Sequence, residues 1–332
     1  MSDSGDDINA LTGELRSSWQ RFLDEVEPLR PELYRYCRHL TRTPWDAEDL
    51  VQDAMARAFV TLATVFTGVP NQKAWLFRVA SNLWIDRVRR ARLDARAEPE
   101  PVTSAADPQA AREAAGTLLA LLSPQERAAV VLKDVLDFSL EEIADALSTT
   151  VGAVKAALHR GRGRLEGRAE IDVAPERTPA PAVLDAFCAA FNARDIDRLA
   201  ALLLDTAVVE IVGVVTEYGP EAAKHPRTGS FTGMNDPITF DDRGGVPDER
   251  LEGYLGGLAR CETSGYRGER ILLFWYDHVE GPRVRCVMTL ATEGDRIAHA
   301  RNYFFTPDII AEICSELGVP FSTNGYSYWP SG

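Results

Sequence analysis

Apolar positions in the first part of the chain recur every three or four residues, which is the spacing of helix faces rather than of strands. Trp19, Phe22, Leu23 and Val26 form one run, and Leu29, Leu33, Tyr36, Cys37 and Leu40 the next, with Pro28 and Pro31 bending or dividing the stretch. After Trp45, Leu50, Ala54, Ala58 and Leu62 make one stripe and Val51, Met55 and Phe59 its neighbour, while Asp46, Glu48, Asp49, Gln52 and Asp53 share an acidic face. Asp46 can cap this helix, with Asp49 three positions on in a capping-box-like place. A following helix interleaves Trp75, Phe77, Val79, Leu83 and Trp84 with Arg78, Arg87, Arg89 and Arg90.

Three further helices follow. Ser123 is an N-cap with Pro124 first in the helix and Glu126 completing a capping box, and Ser139 with Glu142 repeats the arrangement. A short turn at Ser148 and Thr149 leads to a third helix, in which Val151, Val154 and Leu158 face inward and Thr150, Ala153, Lys155, His159, Arg160 and Arg162 are left on the exposed side. The period then changes. Ala182 to Leu204 reads as helix, but residues 208–215, 270–279, 283–292 and 296–305 are β-branched and aromatic runs that read as strands. Proline-rich residues 97–111 and 172–181 punctuate the chain as linkers. The expected organisation is a disordered N-terminus at 1–15, a helical bundle at 16–96, a linker at 97–115, a helix-turn-helix at 116–171, a second linker at 172–181, and an α+β domain with a C-terminal tail at 182–332.

Composition and charge sharpen this. With 332 residues and 45% hydrophobic content, the chain can fill two or three cores. The formal charge of −14 suggests a protein that repels nucleic acid, yet Lys73 to Arg96 holds seven bases against two acids, a local +5, and Lys155 to Arg168 five against one, a local +4. Residues 173–332 carry 14 bases against 23 acids, or −9. Two nucleic-acid contacts and a third region that makes none are the consequence. The acidic start and the lack of a long apolar run predict a soluble, cytoplasmic protein without a membrane partner. Cys37, Cys188, Cys261, Cys286 and Cys314 are odd in number and widely spaced, so the sequence reads them as buried free thiols, with no metal site and no cofactor.

Each basic island has a plainer reading, and for the second it is a three-helix packing module with a soluble basic end. The acidic face can be a solvated helix surface, and on composition alone Trp75 and Trp84 read as core residues. Against this, aromatics beside phosphate-neutralising cations are what capture of unpaired bases requires, and the third helix of the second island is placed to enter a major groove. His159 reads as a phosphate or groove contact rather than a metal ligand.

Together, DAEDLVQDAM, WLFRVASNLWIDRVRR, LSPQERAAVVLKDVLDFSLEEIADAL and VGAVKAALHRGRGRL resemble the extracytoplasmic-function (ECF) branch of the sigma-70 family of transcription initiation factors. The resemblance implies two all-α sigma domains, region 2 and region 4, in a protein that is not an enzyme and that directs RNA polymerase core to promoter DNA. It implies that Asp46, Glu48, Asp49, Gln52 and Asp53 dock on the beta-prime clamp helices. It further implies that Asn71, Lys73, Trp75, Arg78, Asn82, Arg87 and Arg90 open and read the −10 element, and that Thr150, Lys155, His159, Arg160 and Arg162 read the −35 element. Departures are Ala156 and Ala157, where relatives often carry Ser-Arg, and Gly161 and Gly163 in His159-Arg160-Gly161-Arg162-Gly163, where they carry His-Arg-Ala-Arg; each glycine costs a helix interior about 1 kcal/mol relative to alanine, and with the lost Arg they predict a weak −35 grip.

Residues 181–310 resemble the cone-shaped α+β SnoaL-like fold, with Asp205 expected before the first strand. Pro307 and Asp308 resemble a signature of sigma factors with this extension and are assigned a regulatory role in cis, although the Trp-Leu-Pro-Glu-Pro linker motif of that group is absent. Trp275, Asp277, His278, His299, Arg301 and Tyr303 are candidates for a pocket that binds a small-molecule ligand, and strand alternation puts Ile297, His299, Arg301 and Tyr303 on one face. The alternative function is an isomerase or cyclase tethered to a DNA-binding module; a plain helix-turn-helix repressor is disfavoured by the acidic helix.

Overall fold

The computed structural model describes residues 14, 17–19, 21–62, 69, 71–94, 122–165, 181–225, 230–231 and 251–326. The first expected linker, the second up to residue 180, nearly all of the N-terminus and most of the Gly-rich stretch at 225–247 lie outside the described residues, and Pro181, expected in the second linker, already opens a helix. The chain divides into two compact units, Met1–Ala174 and Pro175–Gly332.

The first unit is helical. A 3-10 turn at Glu27–Leu29 contains Pro28 and leads directly into α1 (Arg30–Leu40), where Pro31 costs nothing because first-turn amides have no helical acceptor. Helix α2 (Pro44–Leu62) and α3 (Gln72–Asp94) pack against it. Leu33, Leu40, Leu50, Val51, Ala54, Ala58, Phe77 and Ala80 are fully buried at their centre. The start of α2 differs from expectation. Thr43, not Asp46, is the cap: the Asp46 amide donates to Thr43 Oγ1 at 3.0 Å, and Thr43 Oγ1 donates to Asp46 Oδ2 at 2.8 Å. Pro44 therefore sits first in the helix and the cap lies about one turn earlier.

Helix α4 (Pro124–Val130) and α5 (Leu140–Ala146) begin at Ser123 and Ser139, each in a complete capping box with Glu126 and Glu142. Between them the chain widens into a π-helical turn, Val131–Val135, and passes through Asp137 at φ 51°, which brings Phe138 back toward the first bundle. Helix α6 (Val151–Leu165) buries Val154, Ala157 and Leu158. Phe138 rests against Phe77 with ring centroids 5.1 Å apart, and Lys73 Nζ lies 4.6 Å over the Phe138 ring. Arg127 donates to the Leu40 carbonyl at 2.7 Å and stacks over Trp84. The two helical groups thus share one interface.

The second unit is α+β. Helices α7 (Pro181–Asn192) and α8 (Ile196–Ala201) form a hairpin, with Asp195 capping α8 through the Arg198 amide. The sheet has the order β2-β1-β6-β5-β4-β3, with β1 (Leu203–Ile211), β2 (Val215–Tyr218), β3 (Arg260–Tyr266), β4 (Glu269–Tyr276), β5 (Arg283–Glu293) and β6 (Arg296–Asn302). Among the named strands only β1 and β6 pair in parallel. A short helix α9 (Gly219–Ala223) follows β2, and α10 (Pro307–Leu317) lies against β5. Asp205 lies inside β1 rather than before it, and β3, read as no element from sequence, is the edge strand. Phe187, Phe191, Val209, Leu272, Phe274, Met288, Ile297 and Ala300 fill the core between the sheet and the helical hairpin. This is the α+β architecture expected of the C-terminal domain.

Candidate nucleic-acid interface

Helix α3 builds the site because its two faces differ. Ala74, Leu76, Phe77, Ala80 and Trp84 are buried, so Trp84 is the core residue that composition suggests. Trp75 is only half-buried and lines an open groove of about 680 Å³ with Arg78, Asn82, Arg89 and Arg90 of the same helix and Arg57 of α2. Four guanidiniums against one carboxylate, Asp86, give the groove a positive potential, and Asp86 is bound by Arg89. An indole edge beside phosphate-binding cations in a groove open to solvent can hold unstacked bases while neutralising the strand that carries them.

The other −10 candidates fall outside the groove. Asn71 caps α3, its Oδ1 accepting from the Ala74 amide at 2.9 Å. Lys73 faces Glu32 at 2.6 Å and the Phe138 ring. Arg87 turns to α2, where it pairs with Asp53 and donates to the Asp49 carbonyl. Arg57 is not legible as a site residue in the sequence because it comes from a different helix, and only the packing of α2 on α3 brings it to the groove that Trp75 lines.

The acidic face of α2 divides in the same way. Glu48 is fully buried and ion-paired with Arg30, and it also accepts from Gln52 Nε2 at 2.6 Å. It cannot belong to a docking surface: a carboxylate at this depth is held because the guanidinium compensates its lost hydration. Asp53 is exposed, while Asp46 and Asp49 are half-buried.

On α6, Thr150 caps the helix through the Ala153 amide, and Lys155 and His159 are exposed. Arg160 Nε donates to Glu126 Oε1 at 3.0 Å, Arg164 binds the other oxygen, and Arg162 Nε donates to Asp134 Oδ2 at 3.1 Å. Burial by itself pushes the Glu126 carboxyl up, but the Ser123 cap bonds and the Arg160 and Arg164 charges outweigh it and hold it below the usual carboxylate range. Gly161, read from sequence as a weak point in the helix, is a close approach: a Cβ there would stand 2.9 Å from Val130 Cγ2.

The sequence matches Sigma-70 region 2 over residues 26–93 and Sigma-70 region 4 over residues 112–165, which places the groove and α6 in separate family segments. The ECF RNA polymerase sigma factor SigW of Bacillus subtilis (strain 168) is 32% identical over 162 residues, covering 43% of this chain and 86% of SigW. The chain belongs to the ECF sigma factors. The ECF sigma factor SigG of Mycobacterium tuberculosis (strain CDC 1551 / Oshkosh) is 33% identical over 226 residues, 57% of this chain, and the chain spans only 61% of SigG. SigJ of Mycobacterium tuberculosis (strain ATCC 25618 / H37Rv) is 30% identical over 237 residues, 60% of this chain and 74% of SigJ.

In this ECF sigma factor three of the C-terminal pocket candidates, His299, Arg301 and Tyr303, come together around Glu210, while Trp275, Asp277 and His278 stand apart from them. A register shift between Ala291 and Thr292 separates Ile297 from His299, so Ile297 enters the core while His299 and Arg301 lie on the opposite face beside Glu210. The expected alternation fails because the bulge changes its phase. Glu210 accepts from Arg301 Nε at 2.9 Å, and His299 with Arg301 holds its carboxyl low against the opposing effect of burial. Trp275 donates to Glu262 Oε1 at 2.7 Å on β3, with β5 between it and β6. Asp277 lies 3.9 Å from Arg260, His278 is buried beside Arg285, and Tyr303 is buried under the Arg301 guanidinium. Pro307 opens α10, and Asp308 accepts from Tyr326 at 2.6 Å. Among the described residues no helix is long and apolar enough to cross a membrane.

Proposed function

We propose that the protein is a promoter-specificity subunit of bacterial RNA polymerase. Exposed Asp53, with Asp46 and Asp49, docks on the basic clamp helices of the beta-prime subunit; Trp75, Arg78, Asn82 and Arg90 hold the melted −10 element; and Thr150, Lys155, His159, Arg160 and Arg162 hold the −35 duplex. The observation that carries this reading is the convergence of one half-exposed tryptophan and four arginines on a single open groove. Arg160 and Arg162 release Glu126 and Asp134 when phosphate competes for them, so their contribution to DNA affinity is a difference between two ion pairs and is smaller than that of Lys155. The site of action is the cytoplasm, where polymerase and promoter are.

The C-terminal domain, with its net −9, regulates in cis: a short tether at 172–181 sets an effective concentration in roughly the millimolar range, enough for weak docking on the basic sigma faces. Pro307 and Asp308, at the start of α10, contribute to that contact. The decisive experiment is transcription in vitro with core polymerase on genomic fragments: specific initiation is expected from the full chain, and duplex binding without initiation overturns the reading. Full-length protein and a chain ended after residue 172 are expected to differ in promoter output, and equal output removes the regulatory role.

A further inference from the structure

Two of the five cysteines touch. Cys188 and Cys261 have their sulfurs 3.2 Å apart. Helix α7 and strand β3 bring them together through a specific clamp: Asn192, one helical turn after Cys188 on the same face, donates from Nδ2 to the Cys261 carbonyl at 2.9 Å and accepts from the Cys261 amide at 2.8 Å. Because β3 is the sheet edge, the Asn192 amide takes the place of a further strand at that residue and fixes Cys261 under Cys188. Cys188 is half-buried and reachable from solvent, whereas Cys261, Cys37, Cys286 and Cys314 are buried.

We propose that Cys188 and Cys261 form a dithiol that hydroperoxides oxidise to a reversible disulfide. A disulfide needs the sulfurs at about 2.05 Å, so they must close by roughly 1 Å, a movement within reach of side-chain rotation. The two thiols are also differentiated. The hydrogen bond with Cys261 holds Cys188 below the usual thiol range, against burial and the nearby Asp185 and Glu262 carboxylates, while burial pushes Cys261 well up. Because Cys188 is the sulfur reachable from solvent and Cys261 is buried beneath it, Cys188 is the attacking sulfur and Cys261 the resolving one.

In the first step the Cys188 thiolate attacks a peroxide oxygen; the S–O bond forms, the O–O bond breaks, and the departing oxygen takes a proton from solvent. In the second, Cys261 sulfur attacks Cys188 sulfur; the S–S bond forms, the S–O bond breaks, and hydroxide leaves with the Cys261 proton as water. Two thiols are oxidised and one peroxide is reduced, by two electrons in all. The product clips α7, the first helix of the C-terminal unit, to the edge strand.

The test uses the full chain and hydrogen peroxide. Alkylation under denaturing conditions is expected to fall from five thiols to three after brief exposure, with a Cys188–Cys261 cross-linked peptide by mass spectrometry and recovery of all five with dithiothreitol. Cys188→Ser and Cys261→Ser are each expected to prevent the cross-link, whereas Cys286→Ser leaves it intact. The wild-type peptide map does not depend on the variants folding. Over-oxidation of Cys188 with Cys261 still alkylated, a cross-link between two chains, or five thiols surviving would each overturn the proposal.

Discussion

Glycine 161 and glycine 163 stand two residues apart in one helix and do opposite things. At Gly161 the missing Cβ lets α6 approach Val130 of α4, so Gly161→Ala forces one helix off the other and is expected to cost about 1–3 kcal/mol. At Gly163 no atom lies within 4 Å of an added Cβ, so Gly163→Ala is expected to stabilise by up to about 1 kcal/mol through helix propensity alone. Urea denaturation of the two variants separates these effects, and equal shifts would contradict the packing. Glu126 supplies a pH dependence at the same scale. Its folded carboxyl lies below the ordinary 4.5, so its contribution is present above that value and is lost as pH falls through the lower folded value. Glu126→Gln, which keeps the cap acceptor but loses the charge, is expected to lower stability at neutral pH by about 1–2 kcal/mol and to flatten the acid limb of the stability curve.

Helix α2 carries two kinds of carboxylate, and only exposure distinguishes them. Asp53→Lys replaces an exposed group whose pairing with Arg87 is worth about 0–1 kcal/mol, so the fold survives while association with core polymerase is expected to fall at least tenfold. Glu48→Ala removes the carboxylate that compensates the buried Arg30 guanidinium and is expected to cost about 3–5 kcal/mol, visible as a lowered urea midpoint before any binding is measured. Helix α3 is tested at Trp75. Because this side chain is half-exposed in the groove, Trp75→Ala is expected to reduce open-complex formation more than closed-complex binding, measured by permanganate reactivity and gel shift; equal losses with a lowered melting temperature would return Trp75 to the core.

Across the first unit, the contacts of Phe138, Arg127 and Arg78 join the region 2 and region 4 segments. Arg78 Nε donates to the Asp145 carbonyl at 2.6 Å, so a guanidinium that lines the α3 groove also binds the C-terminal end of α5. On the proposed reading, simultaneous grip on separated −10 and −35 elements requires this interface to yield. Phe138→Ala is therefore expected to raise the hydrodynamic radius of residues 1–174 and to increase promoter affinity by the factor through which the open population rises; unchanged radius and affinity would show that the interface imposes no cost on promoter binding.

Much of this architecture is legible in the chain alone because it is written locally. The serine capping boxes at Ser123 and Ser139, the apolar stripes of α2 and α6, and the change from period 3.6 to period 2 after residue 204 each depend on neighbours within a turn or a strand. The basic islands and the tryptophan and arginine content of the groove are equally visible. What tertiary structure alone decides is which side of an element a charged or small residue meets, because that depends on chain brought from elsewhere. Glu48 is buried by Arg30 of another helix, Arg57 reaches the groove from α2, and Gly161 is tight because of Val130. One bulge between Ala291 and Thr292 moves His299 to the face opposite Ile297. Cys188 and Cys261 are distant in sequence, and they meet because an edge strand needs its backbone groups satisfied and Asn192 of α7 satisfies them.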